Sequence, residues 1–170
     1  ARLHTGEDYL DGVTADIVFR TPGMRPDLPQ IARMVEQGAV LTSEMEAFFE
    51  VCPCRILAVT GSDGKTTTTT LIAKILEHAG KTVWLGGNIG TPLLPRAAEM
   101  RPEDFAVVEI SSFQLMTMTR SADVAVVTNL APNHLDVHKS MEEYIAAKKN
   151  VFLHQNAGGK LVLNMDNAIT

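Results

Sequence analysis

The residues with the clearest capacity for chemistry lie in one short run, Gly61-Ser62-Asp63-Gly64-Lys65-Thr66-Thr67. Glycine admits positive φ and lets the backbone approach an anion closely, and the N–H groups at a helix start point at such a ligand. Lys65 brings a mobile cation that neutralises phosphate charge, and the Thr66 hydroxyl is a hard oxygen donor suited to Mg2+. The run is therefore predicted to hold a nucleotide through Gly61, Ser62, Asp63, Gly64, Lys65, Thr66 and Thr67. Its spacing, G-x-x-G-K-T, departs from the commoner G-x-x-x-x-G-K-[ST], which requires glycine where this chain has Val59. A glycine-rich turn that only caps a helix is the plain alternative.

Other candidates lie further along. Glu109 closes the apolar run Phe105 to Val108, where a carboxylate calls for a compensating cation. An acidic residue at a strand end beside a phosphate loop suits a second Mg2+ ligand. Ser111, Ser112 and Gln114 add hydroxyls and an amide to the same rim. The segment from Asn129 to His138 gathers two histidines, one aspartate and two asparagines, with His134 as metal ligand or substrate-orienting donor. Lys148, in Y-I-A-A-K-K, reads on spacing alone as a solvated helix lysine, as does Lys149. Cys52 and Cys54 flank Pro53, too few for a metal site and too close for an easy disulfide, and are read as structural.

These residues need elements to position them. Apolar patterning predicts strands over Ala15–Phe19, Ala39–Thr42, Arg55–Thr60, Thr82–Leu85, Phe105–Ile110, Val124–Thr128 and Lys160–Leu163. Helices are predicted over Pro29–Gln37, Glu44–Val51, Thr66–Ala79, Pro92–Met100 and Ser140–Leu153. In the helix after the loop, Leu71, Ile72, Ile75, Leu76 and Ala79 recur at helical spacing. Strands alternating with helices predict an α/β fold with a parallel sheet covered on both faces, its ligands at the carboxyl ends of strands. Lys65 and Thr66, Asn88, Glu109 to Ser112, and Asn129 to His134 all fall at such ends. A domain boundary is expected between Thr42 and Arg55.

With 170 residues, 45% hydrophobic and 21% charged, the chain suits one domain or one and a half. A net charge of -5 without a basic cluster gives no footprint for nucleic acid. No apolar run approaches the roughly 18 residues of a membrane helix, and no basic segment followed by an apolar one opens the sequence. Neither nucleic acid nor a membrane is an expected partner, and the cytoplasm is the expected compartment.

G-S-D-G-K-T-T, G-G-N-I-G-T-P-L, E-I-S-S-F-Q-L, N-H-L-D and A-A-K-K, in this order, resemble the Mur ligase family of peptidoglycan synthesis. Upstream T-P-G and M-E-A-F-F extend the resemblance over nearly the whole chain. E-I-S-S-F-Q-L favours the D-glutamate-adding members over L-alanine-adding ligases and folylpolyglutamate synthases, which stay open beside a nucleotide-binding module without ligase activity. The resemblance implies a parallel sheet with a P-loop-type central ATPase domain, preceded by the end of a Rossmann-like N-terminal domain. Residues 1–46 would be the C-terminal part of the UDP-substrate domain and 47–170 the N-terminal part of the ATP-binding domain. The family's C-terminal domain would lie outside this piece, leaving it inactive alone.

The implied reaction is ATP-dependent amide formation through an acyl phosphate, joining D-glutamate to UDP-N-acetylmuramoyl-L-alanine, in an enzyme that is a monomer when full length. The implied catalytic set is Lys65, Glu109, His134 and Lys148. Thr66 and Glu109 would hold one Mg2+, and His134 and Lys148 a second, with Lys148 carbamylated. Asn88, Ser111, Gln114 and His134 would face the muramoyl substrate, and Gly23 would lie near its uracil. Asn133 stands where many relatives carry aspartate, which removes a negative charge beside the metals.

Overall fold

Five mostly apolar runs form a single parallel sheet in a computed structural model, which describes residues 2–133 and 137–170. Two compact units divide the chain, Ala1–Glu44 and Met45–Thr170. In the first, β1 (Ile17–Phe19) pairs in parallel with β2 (Val40–Thr42), and α1 (Pro29–Glu36) connects them. Ile31, Met34 and Ala39 are its buried apolar residues. β1 is shorter than the predicted Ala15–Phe19, because only Ile17, Val18 and Phe19 find partners on the three-residue β2.

The second unit carries the functional candidates other than Gly23. After α2 (Glu44–Val51) come β3 (Arg55–Thr60), α3 (Lys65–His78), β4 (Val83–Gly87), β5 (Phe105–Glu109), α4 (Ser112–Leu115), β6 (Val124–Val127), α5 (Met141–Lys149) and β7 (Lys160–Leu163). The strand order is β4-β5-β3-β6-β7, every neighbouring pair parallel. Ala106, Val107 and Val108 of β5 are completely buried, the continuous burial expected of a strand covered on both faces. Phe48, Ile56, Ala58, Leu115 and Tyr144 join the same core. The edge strand β7 differs, with all four side chains exposed.

Two local predictions need correction, and one short helix has no counterpart among the predicted elements. Residues 92–100 do not make an α-helix; Leu94–Glu99 is a 3-10 helix, since Pro95 lacks the N–H that would make the first i→i−4 bond of the predicted helix. In α3 the inward face runs through Thr69 and Ala73, which are buried, whereas Leu71 and Ile75 of the predicted apolar stripe are exposed. α4 was not predicted at all, although Ser111 and Gln114 form a reciprocal capping box, the S-x-x-Q signature of a helix start.

Candidate phosphate and metal site

The loop that follows β3 is fixed from below by the end of β6. The N–H of Ser62 donates to the Asn129 carbonyl (2.9 Å), that of Asp63 to Asn129 Oδ1 (3.0 Å), and the Thr128 hydroxyl to the Asp63 carbonyl (2.6 Å). Gly61 has φ +148°, and a Cβ there would overlap the Thr128 hydroxyl, so only glycine permits this approach. Gly64, at φ +75°, is the N-cap of α3, and no side chain caps the helix. The first intrahelical bond at this end runs from the Thr68 N–H to the Gly64 carbonyl. The N–H groups from Gly64 to Thr67 therefore stand outside the ladder, the donor set that an anion at a helix start meets.

Lys65 folds back over the loop, with Nζ 3.0 Å from the Gly61 carbonyl and 2.9 Å from that of Ser62. Its neighbour Thr66 donates to Glu109 Oε2 at 2.6 Å, and Asn88 Nδ2 donates to Glu109 Oε1 at 3.0 Å. Residues from the ends of three strands thus meet on one carboxylate, because the register sets Glu109 beside both Val59 and Gly87. Glu109 is only 2% exposed, and both of the bonds to its side chain come from neutral groups. The Thr66 hydroxyl and Glu109 carboxylate are hard oxygen donors within a cation's reach, which is the chemistry Mg2+ requires. No group of three His, Cys, Asp or Glu residues suited to a metal occurs among the described residues.

Lys148 overturns its reading from spacing, since it is 3% exposed rather than solvated. α5 directs it inward, where Nζ donates to the Gly61 carbonyl (2.9 Å) and Thr60 Oγ1 (3.2 Å) and lies 4.8 Å from the centre of the Tyr144 ring. Burial first, and then the Lys65 charge, pull its pKa from 10.5 down to about 7. Its neighbour Lys149 is exposed.

The remaining candidates take other places. Ser62 is buried and its hydroxyl lies between Tyr144 Oη and the Ala131 backbone, all at 2.9 Å, so its side chain braces the loop. Ser111 and Gln114 satisfy one another, with the Ser111 N–H on Gln114 Oε1 (2.9 Å) and the Gln114 N–H on Ser111 Oγ (3.2 Å). Gly23 sits in the first unit, in a turn braced by the buried Arg20, whose Nη1 reaches the Met24 carbonyl at 3.0 Å. His134 lies outside the described residues.

Sequence reasoning counts His138 in the Asn129–His138 segment but gives it no role of its own; it is 1% exposed. Its Nε2 is 2.9 Å from Ser112 Oγ, and its ring stacks on Phe113 with an interplanar angle of 7°. Tyr144, which bridges toward the loop through Ser62, meets the same ring edge-on. The aromatic spacing across Phe113, His138 and Tyr144 offered no local period by which to find it.

A parallel α/β sheet with a phosphate loop between its central strand and the following helix defines a P-loop-type domain. The Mur ligase middle domain matches residues 59–170, and the chain belongs to the Mur ligase family. It is 63% identical over 166 residues to the UDP-N-acetylmuramoylalanine--D-glutamate ligase of Acetivibrio thermocellus, covering 97% of this chain and 36% of that protein. The protein of the same name from Clostridium acetobutylicum is 55% identical over 170 residues, covering 99% and 37%. The chain thus spans little more than a third of the length of these relatives. Among solved structures it is similar to a UDP-N-acetylmuramate:L-alanyl-gamma-D-glutamyl-meso-diaminopimelate ligase from Neisseria meningitides, at TM-score 0.60 and 20% identity over 91% of this chain and 53% of that one. The MurF ligase of Thermotoga maritima in complex with ADP gives TM-score 0.57 and 22% identity, covering 80% and 39%. Both likenesses concern the fold.

Proposed function

We propose that this chain is the phosphate-binding part of an ATP-dependent ligase that adds D-glutamate to UDP-N-acetylmuramoyl-L-alanine in peptidoglycan synthesis. The observation that carries the reading is the convergence of Thr66, Asn88 and Glu109 at the start of α3, flanked by Lys65 and Lys148. The names of the relatives support the choice of substrates. Residues 1–46 belong to the UDP-substrate domain, with Gly23 toward the uracil, and 47–170 to the ATPase domain. The enzyme works as a cytoplasmic monomer.

In this reading Lys65 swings from the Gly61 and Ser62 carbonyls onto the ATP phosphates, joined by the N–H groups from Gly64 to Thr67. Thr66 and Glu109 hold one Mg2+, while His134 and a carbamylated Lys148 hold another. Bound Mg2+ supplies charge neutralisation to the phosphoryl group in flight. The protein's own task is to position the substrate carboxylate against the γ-phosphate, after which the amine of D-glutamate displaces phosphate from the acyl phosphate. Asn88 orients the Glu109 carboxylate, and with Ser111 and Gln114 it faces the muramoyl substrate, for which His134 is a further contact by resemblance. Lys148 fits the carbamate role because a pKa of about 7 leaves much of its amine neutral, the form that takes up CO2.

The test is phosphate release by the intact ligase containing this chain. It is expected only when ATP, the muramoyl substrate and D-glutamate are all present. Release that ignores D-glutamate, or that L-alanine or a folate supports equally well, would refute the assignment.

A further inference from the structure

At the opposite end of β3 from the phosphate loop, the sulfurs of Cys52 and Cys54 lie 3.4 Å apart in hydrogen-bond contact, and Cys52 Sγ also lies 3.6 Å from the Cys54 carbonyl. Both thiols are free. Spacing alone argued against a bridge, but the bend between α2 and β3 brings the two side chains to the same side. Pro53, its φ fixed by the ring, limits how far this turn can open. The two sulfurs are not equivalent. Cys52 is partly exposed, whereas Cys54 is 6% exposed.

We propose that Cys52 and Cys54 form an oxidisable dithiol, a modification site whose co-reactant is a hydroperoxide, with Cys52 attacking and Cys54 resolving. The contact with the Cys54 thiol holds the Cys52 pKa below its usual range, outweighing burial, and the same contact pushes that of Cys54 up. A thiolate on the more accessible Cys52, held by the S–H of Cys54 at 3.4 Å, is the arrangement a reactive cysteine needs. Cys52 thiolate attacks the terminal peroxide oxygen. The O–O bond breaks, the leaving alkoxide or hydroxide takes a proton, and Cys52 becomes a sulfenic acid by a two-electron oxidation. Cys54 then attacks the Cys52 sulfur; the S–S bond forms as the S–O bond breaks, and the departing hydroxide takes the Cys54 proton as water. Overall, two thiols and one hydroperoxide give one disulfide, one alcohol or water from the peroxide, and one further water. The sulfurs close from 3.4 Å to about 2.05 Å by side-chain rotation. With one residue between the cysteines the ring is small, so the bond is expected to be easily reduced.

The experiment treats the native 170-residue chain with one equivalent of hydrogen peroxide, blocks thiols with N-ethylmaleimide under denaturing conditions, and measures the intact mass. Untreated chain should take two maleimides and oxidised chain none, its mass lower by about 2 Da, with dithiothreitol restoring both labels. In Cys54→Ser the reaction should stop at a sulfenic acid that dimedone captures, and in Cys52→Ser the buried Cys54 should keep its label. Persistence of both labels in treated native chain, conversion to a linked dimer, or loss of the Cys52 label alone would overturn the proposal. So would loss of the Cys54 label in Cys52→Ser as fast as native chain loses both. β3 separates these sulfurs from the loop by about 20 Å of strand, so a negative result leaves the ligase reading intact.

Discussion

Lys65, Glu109 and Lys148 make separable predictions. Lys65→Ala removes the loop's mobile cation, and loss of such electrostatic stabilisation typically lowers turnover by about 10² to 10³. Turnover of the intact ligase should fall by that order while its circular dichroism is unchanged. Glu109→Gln keeps the size of the side chain but removes its charge. It should raise the Mg2+ concentration needed for half-maximal activity, which a titration at fixed ATP measures. Lys148 predicts a pH effect on the 170-residue chain itself, measured with chelator present. Its folded pKa of about 7 lies below the 10.5 of the unfolded chain, so between these values the unfolded state binds the extra proton and stability rises with pH. Lys148→Met should remove up to about 1.4 kcal/mol per pH unit of that slope in urea unfolding from pH 7 to 9.5. Identical slopes in the two proteins would show that Lys148 is solvated in solution. Its burial was illegible in sequence, because alanines beside a lysine do not reveal which face of α5 points at Gly61.

The elements were more legible than the side chains they carry. β3, β5 and β6 were predictable because strands buried on both faces read as apolar runs, and Gly64 and Lys65 marked the start of α3. What failed depended on tertiary context. Thr69 rather than Leu71 faces inward on α3, since the helix is oriented by the loop that precedes it and not by its own apolar stripe. The capping box of α4 was present in sequence as Ser111 and Gln114, yet a four-residue helix falls below the length at which periodicity speaks. The loop itself predicts a contrast between its glycines. Gly61→Ala drives a methyl into the Thr128 hydroxyl and strains a positive φ, which together cost about 2–5 kcal/mol. Gly64→Ala meets open space and bears only the left-handed cost of about 1–2 kcal/mol. Thermal melts should therefore show a clearly larger drop for Gly61→Ala, and equal drops would mean the loop does not press on β6 as described.

Across the whole molecule, the two units differ in the core they own. The first buries Ile31, Met34 and Ala39, whereas the second buries a cluster running from Met45 to Val151. Amide hydrogen exchange should be faster in β1 and β2 than in β3 and β5, and uniform protection would contradict this division. Mg·ATP should bind the 170-residue chain weakly, because the proposed phosphate loop lies in a chain that spans only 36% of its relative's length; calorimetry showing tight, adenine-selective binding would refute that distribution of the site. The exposed edge strand β7 bears on how the isolated chain can be handled at all. Leu161, Val162 and Leu163 are 40 to 52% exposed on a strand whose outer N–H and C=O groups offer a template to any extended segment it meets. Concentrated solutions should grow turbid through edge-to-edge accretion, and Val162→Lys, which sets a charge on that rim, should raise the concentration at which light scattering begins.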